Sequence, residues 1–151
     1  MDADLVTRLR RVVGQLTREL NVTSTGEGLT PTQASVLGQI VMYGPMKLSE
    51  LIDRERLNPT MMSRVVGKLV DQQLIERTAD PDDLRSVSVS GTPRGQQVHD
   101  RIRSRRAALV ADCVRQLPAA ESDAISAAVP ALEMLVAALA ADNREDAVRP
   151  V

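Results

Sequence analysis

Residues 76–90 read ERTADPDDLRSVSVS. From Ser86 to Ser90 polar and apolar residues alternate strictly. Val87 and Val89 therefore share one side of a strand, and Ser86, Ser88 and Ser90 share the other. Residues 74–79 supply a second strand, and Asp80, Pro81, Asp82 and Asp83 occupy the turn between them. The tip of this hairpin sets one arginine, Arg85, among three aspartates, and the fold depends on what surrounds it.

Upstream lies RERLNPTMMSRVVGKLV, residues 54–70. Asn58 suits a helix cap and Pro59 a first helical position. Met62, Val65, Val66, Leu69 and Val70 recur at helical spacing and mark a buried side. Thr60, Ser63, Arg64, Gly67, Lys68 and Asp71 mark the other, a face of small, hydroxyl and basic residues. A short helix with Leu48, Leu51 and Ile52 precedes it. Before that, Thr30-Pro31-Thr32-Gln33 has the pattern of a capping box, opening a helix whose buried face holds Ala34, Leu37, Ile40 and Val41. Gly44-Pro45 ends that helix. A short helix, a brief turn, a second capped helix and a hairpin make a winged helix-turn-helix, here over residues 30–92.

Three further helices lie outside that lobe. Residues 3–20 carry the stripe Leu5, Leu9, Val12, Val13, Leu16 and Leu20, and NVTSTGEG then reads as a loop. Thr92-Pro93 caps a helix to about residue 116, with Val98, Ile102, Leu109, Cys113 and Leu117 on one stripe. A last helix spaces Ile125, Val129, Leu132, Val136 and Leu139 as a heptad-like seam, with Pro130 inside it as a kink or a lengthened turn. The tail, 142–151, is polar and should fray. The fold class is thus mainly α with a small β-hairpin wing, flanked by N- and C-terminal dimerisation helices at 3–20 and 93–141. Their apolar stripes exceed what one small module covers, so the chain should pair with itself as a homodimer.

Composition narrows the function. The 151 residues suit a single domain with a substantial core, and the formal net charge of −1 points to no partner in bulk. The placement of charge says more: residues 95–117 hold five arginines against two aspartates, while 118–151 hold six acids against two arginines. Tyr43 is the only aromatic residue, so base-stacking platforms for single strands are missing. One cysteine, Cys113, excludes an internal disulfide. No basic leader or membrane-length apolar stretch stands out, which points to a cytoplasmic protein without a membrane partner. With one histidine, His99, and one cysteine, neither a metal site nor a hydrolase constellation can be assembled, so neither an enzyme nor a cofactor is expected.

The wing carries the most specific resemblance. Asp83-Leu84-Arg85, then a strand, then Thr92-Pro93-Arg94-Gly95 resembles the wing of the MarR family of bacterial transcription regulators, as does the run Ser63-Arg64-Val65-Val66 with Lys68-Leu69 in the second lobe helix. The resemblance covers roughly residues 5–140. It departs at Pro81, Asp82 and Leu84, where family wings often carry further arginines, and at Gln73, where a helix-ending glycine is usual. Gln73 either adopts the left-handed conformation or lets the turn close differently. The resemblance implies a homodimer that binds double-stranded DNA, each second lobe helix in a major groove and each wing in a minor groove. It also implies a small-molecule effector, often a phenolic anion, bound between the dimer region and the lobe.

Site residues follow. Asn58, Thr60, Ser63, Arg64, Gly67, Lys68, Arg77, Asp83 and Arg85 are the DNA-binding set. Arg64 can read guanine or phosphate, and Arg85 suits a narrow minor groove. Asn58 either caps its helix or reaches DNA. Asp83, two residues before Arg85, supports Arg85 or Arg77 rather than touching phosphate. Leu16, Val41, Tyr43 and Met46 are the expected effector contacts, between the first, second and fifth helices. Cys113 reads as a small buried residue and His99 as a surface or interface residue. The run Arg101–Arg106 is a solvated face, a rim of the effector cleft, or a set of partners for acids across the dimer. The function expected is that of a sequence-specific regulator on a pseudo-palindromic site, a ligand-responsive repressor. The alternatives are a winged-helix protein-interaction module, which the acidic wing favours, and a ligand carrier.

Overall fold

The computed structural model describes residues 2–79, 82, 83 and 85–148, with side chains through Arg144. In chain order the elements are α1 (Ala3–Thr25), α2 (Pro31–Tyr43), β1 (Met46–Lys47), α3 (Leu48–Glu55), α4 (Pro59–Asp71), β2 (Ile75–Ala79), β3 (Val87–Gly91), α5 (Pro93–Arg115) and α6 (Ala119–Val148). The chain divides into two compact units, Met1–Ala107 and Ala108–Val151.

The first unit holds the winged lobe. α2 begins at the full capping box: Gln33 N donates to Thr30 Oγ1 and Thr30 N donates to Gln33 Oε1. Its Val36, Leu37 and Ile40 meet Leu51 of α3 and Met62, Val66 and Leu69 of α4 in one core, closed by Ile75, Val89, Val98 and Ile102. All the stripe residues expected on α4 face this core, whereas Val36, off the expected α2 stripe, is fully buried. α2 is covered on more than one side, so its apolar residues do not keep to a single stripe.

The sheet has three strands in the order β1-β3-β2, all antiparallel. β1 is an addition to the expected hairpin. Its two residues, Met46 and Lys47, pair with Val89 and Ser88, too short a run for alternation to reveal. In the hairpin, Arg77 stands opposite Val89 and Ala79 opposite Val87. Val89 is completely buried while Val87 is exposed at 36%, because the core ends before the tip of the wing.

Gln73 takes the left-handed conformation, φ 60°. The Gln73 amide donates to Val70 O and the Leu74 amide to Leu69 O, a Schellman closure formed without glycine. Thr92 secures the same corner. Its hydroxyl donates to Gln73 O at 2.7 Å and accepts from the Gly95 amide at 3.0 Å, and its own amide donates to Leu74 O. A Cβ on Gly95 would lie 1.9 Å from Leu74 O, so this close approach of α5 to the α4–β2 corner requires glycine. The Thr-x-x-Gly spacing is therefore a docking device.

α1 runs five residues beyond the expected end at Leu20, through what reads as loop. Thr23, Ser24 and Thr25 turn their hydroxyls back onto the carbonyls of Leu20, Asn21 and Val22, each at 2.7 Å, which satisfies them within the helix. The stripe Leu5, Val12, Val13 and Leu16 is 48–60% exposed.

In the second unit α6 is continuous through Pro130 and reaches Val148, where the sequence pattern starts a tail at 142. Ile125, Val129, Leu132, Val136 and Leu139 are all more than 40% exposed. Cys113 is exposed as well, contrary to the expected burial, because its neighbours on the stripe, Leu109 and Leu117, are themselves uncovered in a single chain, while only Val98 and Ile102 reach the core. A further correction concerns hydropathy. Ala119–Arg144 contains an 18-residue window of mean hydropathy 1.9 and is, by length and composition alone, apolar enough to cross a membrane. The runs of alanine between its larger residues raise the average without forming a conspicuous apolar block.

Candidate nucleic-acid interface

α4 starts where its sequence says it should. Asn58 Oδ1 accepts from the Met61 amide at 2.8 Å, so Asn58 is a cap, and Pro59 fills the first position. Met62, Val65, Val66 and Leu69 anchor the inner face. That fixes the outer face by geometry: Thr60, Ser63, Arg64 and Lys68 are exposed, with Gly67 between them. A Cβ on Gly67 would meet nothing within 4 Å, so no packing in the chain itself calls for glycine there. α3 ends at Arg56 in the left-handed region, φ 52°, and Leu57 leads directly into the α4 cap. This tight connection joins α3 to α4 as in a helix-turn-helix, and Leu51 of α3 shares the core with Met62 of α4.

The wing presents its arginine through a backbone contact. Asp83 Oδ1 accepts from the Arg85 amide at 3.0 Å, and Asp83 O accepts from the Ser86 amide at 2.9 Å. Asp83 thus spends its carboxylate on shaping the turn, and it holds the main chain of Arg85 rather than its guanidinium. Arg85 is exposed, as is Arg77 on edge strand β2. Arg64, Lys68, Arg77 and Arg85 form no ion pair with a described acid, in contrast to Arg101 and Arg115, which pair with Glu27 and Asp112. Among the described residues these four cations on α4 and the wing are thus not engaged in internal bridges. Asp80, Pro81 and Leu84, also at the expected tip, lie outside the described residues.

The arginine run of α5 resolves differently from a solvated face. Arg101 Nε and Nη2 donate to the two carboxylate oxygens of Glu27 at 3.0 and 3.1 Å. These bonds hold the Glu27 carboxyl below the usual carboxylate range and raise Arg101 above its own. Arg106 Nε donates to Thr23 Oγ1 at 3.0 Å and Nη2 to Asn21 Oδ1 at 3.4 Å. The last turn of α1, which carries no basic residue of its own, is therefore clamped by arginines of α5.

A cavity of about 330 Å³ lies beside this clamp, between α2 and α5. Ser35, Gln39, Tyr43, His99, Arg103 and Arg106 are its polar lining, with Ala34, Gly38, Met42 and Ile102 completing it. Of the four expected effector contacts only Tyr43 stands on this wall. Leu16 is 60% exposed on α1, Met46 is 4% exposed in the core as part of β1, and Val41 packs toward Gly91. Periodicity places these residues on helices but cannot place one helix against another. His99, which the sequence offers as a surface or interface residue, lines the cavity with its ring against Gly38, where a Cβ would come within 3.3 Å of Cε1. Burial, reinforced by Arg103 and Arg106 and opposed by Asp100, lowers its pKa. At neutral pH the cavity thus presents a neutral imidazole and two guanidinium groups. Gln39 Oε1 is buried there without a hydrogen-bond partner.

Known proteins match this arrangement. The MarR family model matches residues 29–87, which span α2 through the start of β3. An HTH-type transcriptional regulator of Mycobacterium tuberculosis is 30% identical over 135 residues, covering 89% of this chain and 94% of that one. The HTH-type transcriptional repressor MdtR of Bacillus subtilis is 26% identical over 109 residues, 72% of this chain and 70% of the repressor. Among solved structures, RV1404 of Mycobacterium tuberculosis superposes with a TM-score of 0.76 at 24% identity, covering 89% of this chain and 94% of that one. The Mycobacterium tuberculosis MarR family protein RV2887, in complex with p-aminosalicylic acid, has a TM-score of 0.65 at 23% identity, covering 85% of this chain and 98% of that one. With its helix-turn-helix, its wing and a relative aligned over nearly its full length, this chain belongs to the MarR family of DNA-binding transcriptional regulators.

Proposed function

We propose that this regulator is a homodimeric, ligand-responsive repressor that places α4 of each copy in a major groove and Arg85 of each wing in a minor groove. The observation that carries the reading is the outer face of α4, where Thr60, Ser63, Arg64 and Lys68 are exposed around the open Gly67 and opposite a fully packed inner face. Arg64 donates to guanine or phosphate, Thr60, Ser63 and Lys68 to phosphate, and Gly67 admits the backbone. Arg77 adds phosphate contact, while Asn58 and Asp83 position the helix start and the wing. Repression is supported by the relative MdtR, named a repressor. Action in the cytoplasm, without enzymatic activity, accords with relatives named as transcriptional regulators.

The exposed apolar faces of α1 and α6 support a second copy as their cover. Burying them against a twin, rather than in lipid, leaves the basic lobe free for DNA. Two copies make the site pseudo-palindromic, with half-sites about one helical turn apart. The cavity of His99, Arg103 and Arg106 is the effector site, suited to a small anion, and RV2887 is a relative seen with such a molecule. The effector acts by favouring a dimer whose α4 helices no longer match the half-site spacing.

The test is binding of the purified protein to duplexes from its own upstream region, across a salt series. Arg64→Ala should weaken specific binding by about tenfold, one lost base contact of ~1–3 kcal/mol. Lys68→Ala should weaken specific and random duplexes alike and flatten the salt dependence by about one unit. No specific binding at low salt would sink the reading and favour the protein-interaction module, whose support is the negative charge of Asp82 and Asp83.

A further inference from the structure

Met61 is the anomaly of the outer face of α4. It sits in the first turn, one residue after Thr60 and three before Arg64, and is 46% exposed while its neighbour Met62 is fully buried. Its backbone amide is held by Asn58, so its Cα is fixed, but its side chain belongs to no part of the core. Among Thr60, Ser63, Arg64 and Lys68 it is the one long apolar side chain, and so the one able to offer an apolar contact at the start of this face. Residues at the start of a recognition helix are those that reach base edges. On the major-groove edges of the four base pairs the apolar group is the thymine 5-methyl.

We infer that Met61 reads a thymine through its 5-methyl group and so fixes one base of each half-site. This rests on the placement of α4 in the major groove proposed above. Arg64, one turn further along, supplies the donors and Met61 the apolar contact. Methionine suits the task because its unbranched, polarisable chain fits a methyl group without demanding one rotamer.

Thymidine and deoxyuridine differ only by that methyl group, which allows a direct test. Specific duplexes are first selected from a random pool by the full-length protein, and each thymine of the recovered site is then replaced singly by deoxyuridine. At one thymine per half-site the wild-type protein should lose about fourfold in affinity, equivalent to ~0.8 kcal/mol for one methyl-sized group removed from water. Met61→Ala, which removes the contact from both copies, should bind the thymine site about fifteenfold more weakly and show no further loss with deoxyuridine at that position. Met61→Leu, which keeps the apolar volume, should keep most of the sensitivity. An unchanged thermal midpoint shows that both variants fold. Recovery of a specific site at which every thymine-to-deoxyuridine change affects wild type and Met61→Ala equally would overturn the assignment while leaving the DNA-binding reading intact. Recovery of no specific site would overturn both.

Discussion

The guanidinium of Arg54 lies over the ring of Tyr43, 4.8 Å from its centroid. About two turns back along α2, Ser35 Oγ donates to the Glu55 carboxylate at 2.9 Å. Ser35 and Tyr43 both line the cavity, and Arg54 and Glu55 both belong to α3. The wall of the cavity is therefore tied at two points to α3, the helix that leads into α4. Arg54→Ala should destabilise the protein by ~0.5–1 kcal/mol, the worth of an exposed cation–π contact. Urea denaturation measures the loss. Because Tyr43 is the only aromatic residue, intrinsic tyrosine emission should change with it; an unaltered spectrum would show that the contact does not persist in solution.

Gly67 separates stability from function. In a helix interior Ala is favoured over Gly by up to ~1 kcal/mol, and the open space around Gly67 offers no steric objection. Gly67→Ala should raise the unfolding midpoint and at the same time weaken duplex binding, as read by fluorescence anisotropy. Tighter or equal binding would mean that the backbone of α4 does not approach DNA at this point.

At Gly95 the sign reverses. An added Cβ would overlap the Leu74 carbonyl, which is main chain and cannot rotate away. Gly95→Ala should lower stability by about 1–3 kcal/mol, the usual range for overpacking. Thr92→Ala, which removes the hydroxyl bridging Gln73 O and the Gly95 amide, should cost ~1 kcal/mol. A thermal melt of each variant decides.

His99 gives the lobe a pH dependence. Its folded pKa is depressed, chiefly by burial, so the unfolded chain takes up a proton more readily. Its contribution is complete above an ordinary histidine value of about 6.5 and is lost as pH falls through the depressed folded value. Stability should therefore decline below about pH 6.5, and His99→Gln should flatten that part of the curve. Glu27, held low by Arg101, loses its contribution at more acid pH, below about 4.5, and should keep that second decline in the His99→Gln protein. Urea midpoints between about pH 2.5 and 8 would separate the two phases; an unchanged curve on removing His99 would contradict the first.

The elements readable from sequence are those whose signals are local. The capping box Thr30/Gln33, the cap Asn58 and the spacing of Met62, Val65, Val66 and Leu69 each involve residues within two turns of one another. Residues on the outer face of α4 were legible for the same reason: once the inner face is known, 3.6-residue periodicity assigns the rest. Asp83 was legible as a support for the wing, but only the folded turn shows that it holds an amide.

Other features depend on how elements dock. The two-residue strand β1 exists because β3 is there to pair with it. The arginines of α5 have meaning only beside Asn21, Thr23 and Glu27, far away in sequence. The cavity lining fell on His99, Arg103 and Arg106 rather than Leu16, Val41 and Met46, because a concave wall is a property of two helices and periodicity describes one.

The sequence by itself determined where the helices and the hairpin begin, which sides of them are apolar, and that Arg85 comes between the acidic turn and the second strand of the hairpin. Capping, alternation and helical spacing act within a few residues, and the chain carries them wherever it folds. Tertiary structure alone decided that Gln73 closes α4 in a left-handed turn, that Gly95 lies against Leu74 and that His99 faces Gly38. These follow from the close packing of segments that no local interaction brings together.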